Sequence, residues 1–477
     1  MNSRTVFVSG RFTVLHPGHL RLLRFAKQYG ARLVVAIESD RQAGNAAHVP
    51  EQMRLEGIQS NSWVDEAFIV DEPIAEVIAR LRPDFVVKGK EHESLFNPEA
   101  AALEHYGGKL LFSSGETVFS SLDLIRKEFH EFDSRSIGLP HEYMARHGIE
   151  SHTLANLTGQ FSNRKVCVVG DLIVDEYITC QPLGMSQEDP TIVVTPIDTI
   201  RFIGGAGIVA AHAAGLGASV HLLTIAGADG PREFAEKALL EANVQARLLI
   251  DDSRPTTLKQ RFRCKGKSLL RVSHLHQGAI SVGLQAQILA ELERILEHVD
   301  LLVFSDFNYG CLPQPLVDRM IEMADKHCVM MVADSQSSSQ VGDISRFRGM
   351  ALLTPTEREA RISTRNHEDG LVVLAEALRS QSTAKNILLK LGEEGLLIHA
   401  CVGDENDWLT DRVNALNGAP KDVAGAGDSL LITSALSLAS GGNIWEAACL
   451  GSLAAAVQVG RVGNTPIKAS ELLLELS

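Results

Sequence analysis

The stretch KDVAGAGDSLLITSALSLASGG, residues 421–442, decides how the larger part of this chain reads. Three small residues, Gly425, Ala426 and Gly427, lead straight into an apolar run of helical spacing that begins near Asp428. Backbone N–H groups at such a junction form a nest for an anion, and the start of the helix adds its dipole. A carboxylate in the first turn projects at the same spot, where it can take a proton from an attacking hydroxyl. A plain glycine turn capped by an aspartate would carry the same local sequence. The surroundings separate the two. Upstream, the apolar strands KVCVVGD (from Lys165), SVHLLTIAG, LLVFSDF, VMMVAD, ALLTP and NILLKLG alternate with helical patterns such as PREFAEKALLEA. That alternation specifies a parallel sheet with helices on its faces. Between residues 246 and 275 the pattern changes. ARLLIDD, TLKQRFRCKG and SLLRVSHL read as antiparallel strands joined by tight turns, an inserted β-structure suited to a lid.

A second alternating series precedes it. TVFVSG, RLVVAIES, EAFIV, DFVVKG and KLLFSS are strands, with helical patterns at 19–29 and 74–81. GRFTVLHPGHLRLL, from Gly10, sets His16 and His19 around a Pro-Gly between the first strand and the first helix. Open α/β sheets bind ligands at the carboxyl ends of their strands. Imidazoles there can hydrogen-bond phosphoryl oxygens and offset the charge that builds when one phosphate attacks another. A bare HxxH is equally compatible with a capping histidine beside a solvated one, and less so with a metal pair. The polar stretch 134–160 reads as a linker with a helical lead-in. The expected organisation is therefore α/β throughout: domains at 1–133 and 161–477, joined by that linker.

Composition narrows the function classes. The net charge of −14 over 477 residues argues against a general nucleic-acid binder. Seven scattered cysteines with no CxxC pair suit a reducing cytosol. No apolar run is long enough to span a bilayer, and the first residues, MNSRTVFVSGRF, have no signal-like core. The expectation is a cytoplasmic protein without membrane or nucleic-acid partners.

From residue 161 onward the chain resembles the carbohydrate kinase family that includes ribokinase, the PfkB family. The resemblance rests on GDLIVDEY at Gly170, GGAGIVAAHAAGLGA at Gly204, LLTPTEREA, LKLGEEG and GAGD, in that order. It implies a ribokinase-like domain with a small β lid that phosphorylates a sugar hydroxyl with ATP. Asp428 would be the base, with the amides of Gly425, Ala426 and Gly427 around the transferred phosphoryl group. Asp171, Asp175, Gly204 and Gly205 would lie at the sugar, Lys390 and Gly392 near the nucleotide, and Glu359 would act indirectly on Mg2+. Four positions depart from the family pattern. Ile208 replaces the asparagine of GGAxNVA, Thr356 replaces that of TPNxxE, and Ser335 and Gln336 follow Asp334 where heptose kinases have Pro-Lys. A buried amide that reads a hydroxyl discriminates strongly, so an active kinase with an altered sugar pocket is expected.

The first 130 residues resemble the nucleotidyltransferase family of the cytidylyltransferase type, whose signature is G-x-F-D-x-x-H-x-G-H. GRFTVLHPGH matches it, with Thr13 in place of the aspartate. RPDFVVKGKEH supplies Lys88, and GETVFSSLDLIRKEF supplies Ser120, Ser121 and Arg126. The resemblance implies a Rossmann-like domain that moves a nucleotidyl group from an NTP to a phosphorylated sugar or alcohol, with Mg2+ and release of pyrophosphate. His16, His19 and Lys88 would stabilise the phosphates, with Gly10, Arg11, Phe12 and Gly18 in the same loop. GKEH after Lys88 replaces the G-x-D-Y of the heptose branch.

The pairing resembles the bifunctional enzymes of ADP-heptose synthesis, with the two halves in reversed order. It implies sugar phosphate and NTP as substrates, an ADP-heptose-like product and a homodimer formed through the lid. A CDP-polyol or other NDP-sugar synthase, and a sugar-phosphate sensor with a kinase fold, stay open as alternatives. The cations Lys259, Arg261, Arg263, Lys265, Lys267 and Arg271 are expected on a solvated lid face, with one or two reaching phosphates. His212, His274 and His276 are expected to be structural.

Overall fold

The computed structural model describes residues 4–12, 15, 17–43, 49–89, 97–113, 137–186, 188–189, 191–264, 267–337, 342–401 and 408–477. The chain divides into two units: Met1–Ser134 with Arg365–Ala377, and Arg135–Thr364 with Leu378–Ser477. The α/β expectation holds in both.

In the first unit, strands β1 (Thr5–Gly10), β2 (Arg32–Glu38), β3 (Glu66–Val70), β4 (Phe85–Gly89) and β5 (Lys109–Ser113) form a sheet in the order β3-β2-β1-β4-β5. Every pairing is parallel. Val6, Phe7 and Val8 of β1 and Leu33–Ile37 of β2 are fully buried, as a sheet covered on both faces requires. Helices α1 (Pro17–Lys27), α2 (Glu51–Gln59) and α3 (Pro98–Glu104) belong to its crossovers. β1 lies between β2 and β4, so the strand order reverses there. That switch point opens a crevice beyond the carboxyl ends of β1 and β4, at Gly10 and Lys88.

The second unit is built on one unusually long strand, the 21-residue β6 (Lys165–Met185). Its first part pairs in parallel with β8 (Ser219–Ala226) and β12 (Leu301–Asp306) in a large sheet. Its second part leaves that sheet and pairs with β7 (Ile192–Gly205), antiparallel, and β10 (Thr257–Cys264), parallel. β11 (Lys267–His274) closes this smaller sheet against β10. The lid is thus β7-β6-β10-β11. Two expectations are corrected. ARLLIDD is no lid strand, because β9 (Gln245–Ile250) extends the large sheet in parallel with β8. The lid also draws on β6 and β7, which residues 246–275 do not contain. From β12 the large sheet continues through β13 (Met330–Ser335), β14 (Leu352–Leu353), β15 (Asn386–Lys390), β16 (Leu396–Cys401) and β17 (Trp408–Val413).

The stretch read as a linker packs into this second unit. Helices α4 (His141–Arg146) and α5 (Ser151–Gly159) place Tyr143, Met144, Leu154 and Leu157 in its core. Arg146 and His147 both hold Asp411, at 3.0 and 2.8 Å, and the His147 ring stacks on Trp445. Helices α6 (Ala206–Gly215), α7 (Glu357–Thr364), α8 (Ala426–Ala439) and α9 (Ile444–Val459) complete the parts that position the site. α8 and α9 are buried almost all round, which explains why their sequences are dominated by apolar and small residues. No helix among the described residues is long and apolar enough to cross a membrane.

Candidate functional site

The second unit gathers its chemistry at the start of α8. Gly425 caps the helix at φ +77°, a left-handed conformation that favours glycine. A Cβ there would stand 2.5 Å from Asn464 Oδ1, so both space and backbone exclude a side chain. The Ala426 N–H makes a long 3.4 Å bond to Val423 O. Asp428 follows in the first turn, buried. Burial, with the charges of Asp334 and Asp175, pushes its pKa up to about 7, against the opposing pull of Lys390 and Lys259. A carboxyl poised near neutrality suits a general base.

Lys390, at the end of β15, lies beside Gly427, where a Cβ would come 3.2 Å from its Nζ. Its ammonium donates to both carboxylate oxygens of Asp334 at 3.0 Å. Asp334 ends β13, and burial pushes it up to about 6 despite Lys390. Gly392 opens an exposed turn just after β15, at φ +63°. Glu359 accepts the backbone N–H groups of Ser337 (3.0 Å) and Thr356 (2.7 Å), while Thr356 Oγ1 accepts the Glu359 N–H. This reciprocal pair is a capping box on α7. It explains how threonine stands at position 356 without loss of local structure.

On the lid side, Asp175 is buried and bonded to Arg261 (3.3 Å) and Asn464 (3.4 Å). Gly204 lies against it, since a Cβ there would meet Asp175 Oδ2 at 2.5 Å. Gly205, at φ +58°, packs on the Asp171 carbonyl. Lys259, Arg261 and Arg263 share one face of β10, as the strand's period of two dictates. Lys259 lies over the Phe307 and Tyr309 rings, and Arg261 and Arg263 lie over Tyr177. This row is turned inward, which corrects the expectation of a solvated face; Lys267 and Arg271 of β11 are exposed.

Asp171 is engaged by backbone. Its carboxylate accepts the backbone N–H groups of Phe307 (2.8 Å), Tyr309 (3.2 Å) and Cys311 (3.1 Å). Those bonds brace the loop after β12, and Asp171 also lines a small cavity with Arg254, His276 and Tyr309. Ile208 is fully buried in the main core. His212 accepts the Ile467 N–H at Nδ1, and burial holds it neutral, as a structural histidine requires.

In the first unit, the crevice brings together the end of β1, the start of α1 and Lys88. Phe12 is buried at φ +46°, its ring edge-on to His19 at 5.0 Å. Gly10 packs on that Phe12 ring, and Gly18 lies in the first turn of α1. Arg11 is exposed and pairs with Glu38 at 3.2 Å. Lys88 Nζ donates to Glu99 on α3 at 2.8 Å, both side chains largely buried. Sequence reasoning missed two residues here. One is Glu99. The other is Arg54 on α2, whose buried guanidinium holds the carbonyls of Arg11 (2.6 Å), Glu38 (2.9 Å) and Val49 (2.9 Å) and the Asp40 carboxylate (2.6 Å). Thr13, His16, Ser120, Ser121 and Arg126 lie outside the described residues. Among the described residues, no cluster of three or more His, Cys, Asp or Glu is arranged to hold a metal ion.

Comparison with known proteins agrees with this division. The description "pfkB family carbohydrate kinase" matches residues 163–470, and "Cytidylyltransferase-like" matches residues 7–114. The chain is 30% identical over 316 residues to the bifunctional protein HldE of Helicobacter hepaticus, a match covering 65% of this chain and 63% of that one. The match thus spans less than two thirds of that bifunctional relative's length. It is also 30% identical over 318 residues to the D-beta-D-heptose 7-phosphate kinase of Bordetella bronchiseptica, covering 66% of this chain and 96% of that one. In fold it is similar to phosphofructokinase-2 from Escherichia coli (TM-score 0.54, 17% identity) and to Arabidopsis thaliana ribokinase (TM-score 0.52, 17% identity). Each of these two matches covers 66% of this chain and 98% of the other. With the helix-start aspartate, the glycine cap and the β lid all in place, the chain belongs to the pfkB family of carbohydrate kinases, joined to a cytidylyltransferase-like domain.

Proposed function

We propose that residues 161–477 phosphorylate a sugar phosphate of the heptose 7-phosphate class with ATP, and that residues 1–133 transfer an adenylyl group from ATP to a sugar 1-phosphate. The product would be an ADP-heptose-like nucleotide sugar. One observation carries the reading: buried Asp428, raised to about 7, shares the start of α8 with Lys390 while Asp175, Lys259 and Arg261 approach from the lid. Asp428 would take the acceptor's proton as its oxygen attacks the terminal phosphorus and ADP leaves. The two lid cations suit an acceptor that is itself phosphorylated. The names of the relatives support the heptose class.

Magnesium would be held chiefly by the nucleotide's phosphates. Glu359 has both oxygens engaged by backbone amides, so its part would be indirect, through water. In the first unit His16, His19 and Lys88 would hold the reacting phosphates, with Ser120, Ser121 and Arg126 adding to them. A homodimer would form through the lid, whose exposed apolar residues include Leu183, Met185, Ile192, Ile197, Ile200 and Leu270. A cytoplasmic location fits seven free cysteines.

Ile208 favours a second reading of the acceptor. An apolar residue sealed in the core offers no amide to a sugar hydroxyl, so a sugar other than heptose would be the substrate of an otherwise intact kinase. A panel of sugars and sugar phosphates with ATP or CTP, followed separately for ADP and pyrophosphate, tests both. ADP release on heptose 7-phosphate, with pyrophosphate release from ATP on heptose 1-phosphate, supports the first reading. ADP release only on other sugars supports the second. Release of neither product with any acceptor removes both and leaves a sensor.

A further inference from the structure

We propose that Lys390, held by Asp334, is the cation that contacts the terminal phosphoryl group of ATP, and that Asp334 is a positioning residue for the transfer. This rests on the kinase reading above and adds the group that tells ATP from ADP.

Lys390 and Asp334 come from β15 and β13, with the two-residue β14 between them. Both side chains are largely buried, at 14% and 3% exposure. An ammonium has three N–H donors, and the two oxygens of Asp334 account for two. The bare Cα of Gly427 lets Nζ lie against the first turn of α8. The partial positive charge at the helix start opposes a cation, while the carboxylates of Asp334, Glu359 and Asp428 hold it there. Burying an ion pair adds a desolvation cost that the pair alone often fails to recover. An anion at the α8 amides would add an attraction that offsets both costs. A terminal phosphoryl group at the α8 amides would accept from Lys390 without breaking its bonds to Asp334. Ser335 and Gln336, which follow Asp334, bring no charge, and Lys259 and Arg261 lie with Asp175 in the lid, from which Lys259 also acts on Asp428. Lys390 is thus the buried cation placed beside the group in flight. In the transfer, the acceptor oxygen bonds to phosphorus, the bond from phosphorus to the ADP oxygen breaks, and the proton goes to Asp428. The ammonium stays on the transferred group throughout.

The test is equilibrium binding of ATP and of ADP, each with magnesium and without acceptor, to the full chain by calorimetry, with the first unit's own ATP site fitted as a separate site common to all variants. Wild type is expected to bind ATP more tightly than ADP. Lys390→Gln should weaken ATP about 10- to 100-fold, the value of a charge-assisted hydrogen bond, and leave ADP within about threefold. Asp334→Asn should weaken ATP by a smaller factor, again sparing ADP. If Lys390→Gln fails to fold, the double variant Asp334→Asn/Lys390→Gln, in which two amides replace the ion pair, carries the same comparison. Equal weakening of ATP and ADP, or no change in either, overturns the proposal and leaves the kinase reading standing. A wild type that binds neither nucleotide overturns both.

Discussion

Asp428 shows what burying a carboxyl costs a folded chain. Its pKa is raised from the ordinary carboxylate value to about 7, chiefly by burial. Between about pH 4 and 7 the folded chain therefore binds the proton more tightly than the unfolded chain, and this residue's contribution to stability falls as pH rises through that window. A carboxamide in its place would mimic the protonated form. Asp428→Asn is thus expected to raise the Tm of the ligand-free chain by roughly 3 °C or more at about pH 8, with the gain vanishing near pH 4. Thermal unfolding at the two pH values checks it, and an unchanged Tm at the higher pH would contradict it. Asp171 has three backbone N–H groups as its partners. Asp171→Ala leaves three buried N–H groups without their acceptor, and urea unfolding should show a loss of roughly 3 kcal/mol or more. The sequence made Asp428, Gly425 and Asp175 legible because each sits in a local motif. Asp334, Glu99 and Asn464 were not, because each meets its partner only after strands or helices distant in sequence are brought side by side.

At the scale of elements, the site depends on two connections. β6 runs out of the large sheet into the lid, so Asp175 is carried from the core to the pocket on one continuous strand. The sequence signals KVCVVGD as a strand but cannot show that the strand bends from one sheet into another, because pairing partners decide that. The same limit misplaced residues 245–250, whose apolar pattern suits either sheet and whose register with β8 settles the matter. The second connection is Arg54, which ties the segment after β1 to the end of β2 through backbone carbonyls. Arg54→Met should leave those buried acceptors unsatisfied and loosen the segment that leads to His16. Pyrophosphate release is expected to fall by about ten-fold or more, while ADP release by the second unit is kept. Loss of both activities together would contradict that division.

Across the whole molecule, the lid strands leave Leu183, Met185, Ile192, Ile197, Ile200 and Leu270 exposed. Such a patch is the mark of an interaction surface. Ile200→Glu with Leu270→Glu should convert a dimer to a monomer in sedimentation, and a wild type that sediments as a monomer would contradict the homodimer. The two α/β series were legible from the alternation of strand and helix patterns alone. What the sequence could not show is that residues 137–160 are part of the kinase body, because a polar stretch with a few well-placed apolar residues looks like a linker until Tyr143 and Leu154 are seen inside the core. The central claim, that the start of α8 is a phosphoryl-transfer centre with Asp428 as its base, is tested most directly by ADP release from ATP with heptose 7-phosphate. The rate would be followed from about pH 5.5 to 8.5 in wild type and in Asp428→Asn. The expected result is a wild-type rate that rises through about pH 7 and then levels, and a drop of about 10^3-fold in the variant at every pH. A variant within tenfold of wild type, or a wild-type rate flat across that range, would contradict it.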